Sequence, residues 1–221
     1  MHHIRPHQVL KIEDSYDEAI NFFMPSPLDG GVSVIESIML LKLMRCVDPA
    51  HIFEFGTYSG KTTRLFLDNI KDNGATADRI YTLDLPDLEG VSFQATDKLL
   101  AERSMSLSRK YTLSPRRSWV TQIYQDSMYL DVSPYLRKFQ FIFIDANHEQ
   151  SYVQKDTENA FKMVASEPAC IAWHDYGNPL FGGLTQYLDD LSNDVDLYHI
   201  EDTMLVFRLF GKKVAPKGSW P

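Results

Sequence analysis

The chain has 221 residues, of which 44% are hydrophobic and 24% are charged, and its formal net charge is −8 at pH 7. This length suits one domain with a substantial core, and the composition is that of an ordinary globular protein, which excludes a disordered chain or a fibre. The negative balance argues against nucleic acid as a general partner, because binding a phosphate backbone requires a basic face.

Three features of the sequence predict a cytoplasmic protein. The longest apolar stretch, residues 34–44, is interrupted by Glu36 and Lys42, so it is not expected to span a membrane. The N-terminus lacks the apolar core of a signal peptide. The two cysteines, Cys46 and Cys170, are too few for a disulfide framework, which favours a reducing compartment.

The chain is expected to begin with an irregular N-terminal or lid segment over residues 1–32. Pro25-Ser26-Pro27 and Asp29-Gly30-Gly31 are strong breakers of regular structure. From Ser33 an apolar helical pattern begins, and it predicts a helix that ends near Asp48.

Short apolar runs then alternate with segments of helical composition. The runs predict strands at 51–55, 80–85, 119–124, 139–145 and 169–174, and the segments between them predict helices at 61–73, 93–110, 151–164 and 184–191. This alternation indicates a parallel sheet with helices on both faces. The last two runs, 196–200 and 203–209, are joined only by Glu201-Asp202, which favours an antiparallel hairpin. The predicted fold is therefore one α/β domain over residues 33–210, a Rossmann-like, doubly wound, mainly parallel seven-stranded sheet, followed by a tail at 211–221.

An acid lies at or beside the end of each of the first five predicted strands: Glu54, Asp84, Asp126, Asp145 and Asp175. A single acid there could be a helix cap. In open parallel sheets, however, ligands bind beyond the carboxyl ends of the strands. Because gathered carboxylates repel one another, an acidic rim indicates a site for a cation, for hydroxyl groups or for a metal.

The strongest local signal is the turn from Glu54 to Thr63, directly after the first of these strands. Gly56 and Gly60 allow the backbone to approach a ligand closely, and Ser59 is predicted to cap the next helix. A phosphate-binding P-loop needs four residues between its first glycine and the Gly-Lys pair, and this turn has three; the Gly-x-Gly-x-x-Gly pattern of dinucleotide folds is also absent. A P-loop-like nucleotide hydrolase stays open as an alternative.

The turn Glu54-x-Gly56-x-x-x-Gly60 resembles the first motif of class I S-adenosylmethionine (SAM)-dependent methyltransferases. The segment from Asp145 to Tyr152, followed by Asp156, resembles a subgroup motif of the form Asp-Gly-x-His-x-Tyr…Asp. Trp173-His174-Asp175-Tyr176 resembles the motif that follows strand five in the same subgroup. That subgroup contains bacterial small-molecule O-methyltransferases of the macrocin O-methyltransferase and cephalosporin-tailoring type.

The resemblance implies that SAM is the cofactor. Gly56 and Gly60 would approach its methionine part, Glu54 its ammonium and Asp84 its ribose hydroxyls, and Asp126 and Ser127 would border the adenine. The cofactor-binding residues expected in this way are Glu54, Gly56, Thr57, Ser59, Gly60, Asp84, Asp126, Ser127 and Asp145. The chain departs from the family at Gln125 and Ala146, where glycine is usual.

Methyl transfer to an alcohol requires that its proton be removed or its oxygen polarised. His148, His174 and Asp145 are the catalytic candidates, and each histidine could act as a general base near neutral pH. Asp145 and Asp175 could instead hold a divalent cation. Relatives with metal sites carry a further acid where this chain has His174, which argues against magnesium because that ion prefers oxygen ligands.

The expected reaction is methyl transfer to a hydroxyl of a small molecule, either a sugar or a secondary metabolite. A cluster of basic residues is either a solvated surface or a site for an anionic group of the acceptor; it comprises Arg103, Arg109, Lys110, Arg116 and Arg117. A SAM-binding module without methyl transfer is a further alternative. The sequence leaves a homo-oligomer open and indicates no membrane partner.

Overall fold

The computed structural model describes residues 1–10, 19–23, 31–72, 74, 77–93, 95–212 and 214. The strands are β1 (His2–Ile4), β2 (Ile52–Phe55), β3 (Ile80–Asp84), β4 (Val120–Tyr124), β5 (Phe141–Ile144), β6 (Ala169–Trp173), β7 (Tyr198–Ile200) and β8 (Val206–Phe210). The α-helices are α1 (Pro6–Leu10), α2 (Val34–Val47), α3 (Lys61–Asn69), α4 (Ala95–Ser106), α5 (Gln150–Met163) and α6 (Gly182–Leu191). None of the helices in this described part is long and apolar enough to cross a membrane.

The strands form one eight-stranded sheet in the order β1-β7-β8-β6-β5-β2-β3-β4. All neighbouring pairs are parallel except those of β8, which runs antiparallel to both β6 and β7. The mainly parallel sheet and the antiparallel C-terminal hairpin are thus confirmed. Because the parallel strands β6, β5, β2 and β3 are adjacent in space, their carboxyl ends meet at one edge of the sheet.

The sheet has eight strands rather than the expected seven, because the chain's first residues join it. β1 pairs with β7 in parallel, with His3 opposite His199, and α1 follows directly. Ile4 and Val9 are buried in the core, so the irregular structure expected at the N-terminus is wrong for these residues. A three-residue strand is too short to show a periodic pattern. The predicted breakers at 25–30, and nearly all of the predicted tail, lie outside the described residues.

Both faces of the sheet are covered, which explains the continuous apolar runs of its strands. Along β5, Phe141 and Phe143 point into one core with α2 and α3, whereas Ile142 and Ile144 point into a second core with α5 and α6. The four side chains are all buried. The central strands are therefore rigidly held, and they fix the positions of the residues at their carboxyl ends.

Helix α2 begins where the sequence predicts, at a capping box. The Ser33 hydroxyl accepts a hydrogen bond from the Glu36 backbone N–H at 3.3 Å, and Glu36 Oε2 accepts one from the Ser33 N–H at 2.7 Å. Glu36 Oε1 accepts a third from the Met204 N–H at 2.8 Å, so this buried side chain also ties α2 to the turn before β8. The helix ends at Asp48, which has the left-handed conformation of a C-cap.

Candidate active site

A cavity of about 360 Å³ opens at the carboxyl ends of the central strands, and its size is that of a small-molecule site. From the ends of five adjacent strands, Gly56, Asp84, Gln125, Asp145 and His174 line it. Among the five acids expected on the rim, Asp84, Asp145 and Asp175 face this cavity, whereas Glu54 and Asp126 do not line it. The rim is therefore acidic, but with fewer carboxylates than the sequence suggests.

The glycine turn after β2 is required by the approach of the backbone that follows β5. Gly56 has φ +91°, and a Cβ atom there would overlap the backbone carbonyl of Asp145. Gly60 has φ +69° and is itself the residue that precedes α3, so the expectation that Ser59 caps this helix is wrong. Ser59 is buried behind the turn, and its carbonyl accepts a hydrogen bond from the Lys110 N–H at 2.8 Å. Neither Ser59 nor Gly60 lines the cavity.

Glu54 lies beneath the turn, where the residue is 1% exposed. Its Oε2 accepts hydrogen bonds from the Thr63 hydroxyl at 2.5 Å and from the Thr82 hydroxyl at 2.6 Å. Burial raises the pKa of this carboxyl to about 8. Thr57 shares a hydrogen bond of 2.7 Å with Thr82, and like Glu54 it lies behind the cavity wall. Glu54 thus braces the turn from below.

Asp84, at the end of β3, is expected to bind ribose, and it faces the cavity. Its Oδ2 accepts hydrogen bonds from Arg109 Nη2 at 2.8 Å and from the Ser104 hydroxyl at 3.0 Å. Burial raises the pKa of Asp84, and the Arg109 guanidinium is the largest influence that lowers it. Arg109 therefore belongs to the interior of the site and not to a solvated surface.

Asp126 and Ser127 follow β4, and they play different parts. Ser127 lines the cavity, as expected for a residue that borders the adenine. Asp126 instead organises the backbone, because its Oδ1 accepts a hydrogen bond from the Met128 N–H at 2.9 Å. Its Oδ2 accepts one from the Tyr152 hydroxyl at 3.1 Å, and burial together with this carboxylate raises the pKa of Tyr152. Tyr152 thus connects α5 to this loop and also lines the cavity.

His148 lies between two carboxylates. Its Nδ1 is 2.5 Å from Asp97 Oδ1 and its Nε2 is 2.9 Å from Asp175 Oδ2, while its backbone N–H donates to Asp97 Oδ2 at 3.1 Å. Its ring stacks on Phe181 with centroids 3.8 Å apart. Although burial opposes the charged form, these two acids raise the pKa of His148 to about 10. Since both nitrogens face carboxylates, this imidazole holds its protons and lacks the free lone pair of a general base.

His174 is likewise surrounded by carboxylates. Its Nδ1 is 3.0 Å from Asp175 Oδ2 and 3.3 Å from Asp145 Oδ1, and its Nε2 is 3.4 Å from Glu36 Oε2. Burial opposes its charged form, but these carboxylates raise its pKa well above the ordinary value. Although burial opposes the ionised form of Glu36, the contact with His174 lowers the pKa of that carboxyl to about 2. Two imidazolium rings therefore interleave with four carboxylates and offset the repulsion between them.

One group of side chains in this cluster has the spacing of a metal site. Asp145, His174 and Asp175 each offer a ligand atom, and these atoms lie within 4.8 Å of one another. The set contains two carboxylate oxygens and one imidazole nitrogen. Because one ligand is an imidazole nitrogen, the set fits a divalent transition metal better than Mg²⁺, which prefers oxygen ligands alone.

Much of the remaining cavity wall is apolar. Its larger apolar residues are Leu83, Leu85, Phe93, Leu100, Leu180, Phe181 and Met204. Among the polar residues of the wall, Tyr58 in the glycine turn is distinctive, because its hydroxyl is buried and has no hydrogen-bond partner among the described residues. A buried hydroxyl without a partner is unfavourable, so the cavity is suited to a ligand that supplies a polar group there.

Three residues of the site carry no motif in the sequence: Glu36, Asp97 and Arg109. Asp97 and Arg109 come from the segment between β3 and β4, which none of the three sequence motifs includes, and Asp97 is 51 residues away from the histidine it holds. For Glu36 the Ser-x-x-Glu spacing indicates a helix cap, but not its contact with His174.

Solved structures of methyltransferases have this fold. The SAH-bound methyltransferase PaMTH1 from Podospora anserina is 17% identical, with a TM-score of 0.53 over 81% of this chain and 79% of that one. The O-methyltransferase from Bacillus cereus in complex with S-adenosylhomocysteine (SAH) is also 17% identical, with a TM-score of 0.52 over 81% and 82%. TomG from Streptomyces achromogenes, an O-methyltransferase of tomaymycin synthesis in complex with SAM, is 16% identical, with a TM-score of 0.50 over 82% of each chain.

The ligands of these structures are SAM, which is the cofactor that the sequence motifs imply, and SAH, which is its demethylated product. At such identities the likeness establishes the shared fold alone. Among curated proteins, no sequence matches the chain. A family model described as a methyltransferase domain matches residues 53–176, which is more than half of the chain and includes nearly all of β2 to β6. The chain therefore belongs to this methyltransferase-domain family.

Proposed function

We propose that the protein is a SAM-dependent methyltransferase that transfers a methyl group to a hydroxyl of a small molecule. The observation that carries this proposal is a single cavity with two different ends. Asp84 lies at one end on β3, and Asp145, His174 and Asp175 lie towards the other, directly after β5 and β6. β3 and β6 are three strand spacings apart, or roughly 14 Å. A donor and an acceptor therefore have room to lie side by side, and such alignment supplies much of the acceleration of a displacement reaction.

When bound, SAM supplies a methyl group on a positively charged sulfur. In this proposal Asp84 accepts a ribose hydroxyl, Ser127 borders the adenine, and Gly56 and Asp145 border the methionine part. The buried hydroxyl of Tyr58 supports the fit, because it lacks a partner that a polar ligand would provide. The other expected contacts, Glu54, Thr57, Ser59, Gly60 and Asp126, shape the cavity wall from behind.

Of the three catalytic candidates, we assign to Asp145 the role of accepting the proton from the hydroxyl of the methyl acceptor. His148 and His174 already donate to carboxylates, and the pKa of each is raised, so neither is suited to take a proton at neutral pH. Asp145 faces the cavity with its Oδ1 directed towards His174, which leaves its second oxygen for the acceptor's hydroxyl. The two histidines then position the carboxylates and stabilise their charge.

A divalent cation, if the enzyme uses one, would be held by Asp145, His174 and Asp175, and it would polarise the acceptor oxygen. His174 would have to release a proton from Nδ1 to bind it.

The acceptor is expected to carry hydroxyl groups on an apolar body. Its hydroxyls would face Asp145 and Asp175, and its body would contact Leu180, Phe181 and Met204, which also line the cavity. This favours a secondary metabolite over a bare sugar. The macrocin-type subgroup, an anionic group on the acceptor and a homo-oligomer stay predictions. A SAM-binding module without methyl transfer is the remaining alternative, since the P-loop-like hydrolase finds no support in the family match.

Calorimetric titration with SAH, followed by measurement of SAH release from SAM, tests the proposal. The acceptor panel would contain phenols, catechols and sugars, with Mn²⁺, Mg²⁺ or EDTA. We expect SAH binding and turnover of at least one hydroxylated acceptor. In Asp145→Asn, turnover should fall by a much larger factor than the affinity for SAH, because the carboxylate takes the proton but only borders the cofactor. Absence of SAH binding at millimolar concentration would overturn the proposal, and binding without any turnover would favour the non-catalytic module.

A further inference from the structure

We propose that Arg109 is a positioning residue for the cofactor, which fixes Asp84 and the glycine turn in the arrangement that receives the ribose. This inference rests on the proposed function. None of the three sequence motifs includes Arg109, and the basic cluster around it indicates a solvated surface or an anion site.

The Arg109 guanidinium forms hydrogen bonds with three segments that surround the cavity, namely β3, α4 and the glycine turn. Arg109 Nη2 donates to Asp84 Oδ2 at 2.8 Å, at the end of β3. Its Nη1 donates to the carbonyl and the hydroxyl of Ser104 on α4, at 3.1 and 3.0 Å, and to the carbonyl of Tyr58 in the glycine turn. The Arg109 and Asp84 side chains are only 10% and 14% exposed, so solvent screens their interaction weakly.

The backbone conformation of Tyr58 indicates what its hydrogen bond from Arg109 contributes. Tyr58 has φ +44°, a left-handed conformation that a residue with a side chain adopts only when its surroundings hold it there. The bond from Arg109 to the Tyr58 carbonyl supplies such a restraint. The same residue carries the buried hydroxyl that lacks a partner among the described residues, and its placement therefore depends on Arg109.

The contacts of Asp84 also decide how it can bind ribose. Its Oδ2 accepts hydrogen bonds from Arg109 and Ser104, and its Oδ1 accepts one from the Leu85 N–H at 3.1 Å. Although burial raises the pKa of Asp84, a backbone hydrogen bond from Tyr58 also lowers it, so this carboxyl is tied directly to the glycine turn. Because Arg109 and Ser104 occupy Oδ2, the contact with a ribose hydroxyl falls to Oδ1. Arg109 favours the ionised, acceptor-only form of this buried carboxyl and holds it in the orientation that leaves Oδ1 for the ribose.

The neighbouring arginines do not share this arrangement. Arg116 Nη1 donates to the carbonyl of Ile70, and its guanidinium lies 4.9 Å from the Trp119 ring centroid, away from the cavity. Arg117 is exposed at the surface. Arg117 therefore offers a matched control, because its replacement removes the same charge from the same stretch of chain.

The first test compares SAH affinity by calorimetry in the native protein, Arg109→Met, Arg109→Lys and Arg117→Met. Loss of a hydrogen-bonded charged partner is expected to weaken SAH binding roughly ten- to hundredfold in Arg109→Met. Arg109→Lys should recover part of this loss, because lysine restores a charge near Asp84 but not the fork that reaches Tyr58 and Ser104. Arg117→Met should bind SAH like the native protein. Native-like affinity in Arg109→Met would overturn the inference.

The second test separates positioning from general structural support. Because part of the Arg109 effect passes through Asp84, the double variant of Asp84→Asn with Arg109→Met should lose less affinity than the product of the two single losses. Multiplied losses in the double variant would overturn the inference. If Arg109→Met does not fold, as judged by circular dichroism, the double-mutant cycle is repeated with Arg109→Lys and Asp84→Asn. Multiplied losses in that double variant would likewise overturn the inference. Failure of the native protein to bind SAH would instead refute the proposed function.

Discussion

Each histidine of the cavity is surrounded by acids, and this surrounding determines its chemistry. His148 contacts Asp97 and Asp175, and His174 contacts Asp145 and Asp175. An imidazole near neutral pH is often a base, but the carboxylates here favour its charged form. The residue types alone predict bases, whereas their neighbours indicate cations that hold the carboxylates together.

The buried carboxyl of Glu54 is expected to make the unfolding free energy depend on pH. Its pKa of about 8 lies above the ordinary 4.5, so the folded state binds a proton that the unfolded state releases between these values. The stability from this proton is present below about pH 4.5 and is lost as the pH rises through 8. Relative to Glu54→Gln, the native protein should lose at least about 1 kcal/mol of unfolding free energy between pH 5 and pH 8, measured by urea denaturation.

The control for this prediction is Glu102→Gln on the exposed face of α4, which removes a similar charge without burial. Its unfolding free energy should follow that of the native protein across the same pH range. If the unfolding free energies of Glu54→Gln and of the native protein changed equally with pH, then Glu54 would be ionised in the folded state. That result would support the expected contact between Glu54 and the ammonium of the cofactor.

At the scale of elements, β1 shows how a short segment completes the sheet. It covers the edge of β7 and places Ile4 at 3% exposure and, through α1, Val9 at 0%. Three residues form no stable strand alone, so this element depends on a sheet edge that already exists. The cavity lies at the other part of the sheet, since β7 and β8 separate β1 from β6.

Ile4→Ala is therefore expected to lower stability without changing the cofactor site. The lost burial and the remaining void should reduce the unfolding free energy by about 2–4 kcal/mol. His2→Ala on the same strand, where the side chain is 58% exposed, should change it by less than about 1 kcal/mol. Chemical denaturation measures both values, and SAH titration should give the native affinity for each. Equal effects of the two substitutions would contradict the placement of β1 in the core.

At the scale of the whole molecule, the strand order gathers the functional groups. β6, β5, β2, β3 and β4 are adjacent, so their carboxyl ends form one continuous edge above which the cavity lies. Residues as distant in the chain as Gly56 and Asp175 come to line the same cavity in this way. The two apolar cores hold that edge from both sides, which makes the site a property of the entire sheet.

A ligand that binds this edge should stabilise the entire fold. At a free SAH concentration of 100 times its dissociation constant, the unfolding free energy should rise by about 2.7 kcal/mol. For a chain of this length the melting temperature should then rise by roughly 5–10 °C, as measured by calorimetry or a thermal-shift assay. ATP at the same concentration is the control, and it should have no effect. Stabilisation by ATP and not by SAH would favour the nucleotide-hydrolase alternative over the proposed function.

Much of the architecture could be predicted because it depends on local patterns. The apolar runs of β2 to β6, the helix start at Ser33 and the short link before β8 are all readable within a few residues. The glycine turn and the motif that contains His148 likewise indicate the right edge of the sheet. Only β1 among the eight strands lacks a predicted counterpart, and the shared carboxyl ends follow from the rules of parallel sheets.

The sequence by itself thus determined the fold class, the family and the place of the site, since apolar periodicity and short motifs are written within single segments. The tertiary structure alone decided which groups meet: Arg109 with Asp84, 25 residues apart, and Asp97 with His148, 51 residues apart. It also placed Glu54 beneath the cavity. The physical reason is that burial and charge pairing depend on contacts between distant segments, which no local pattern records.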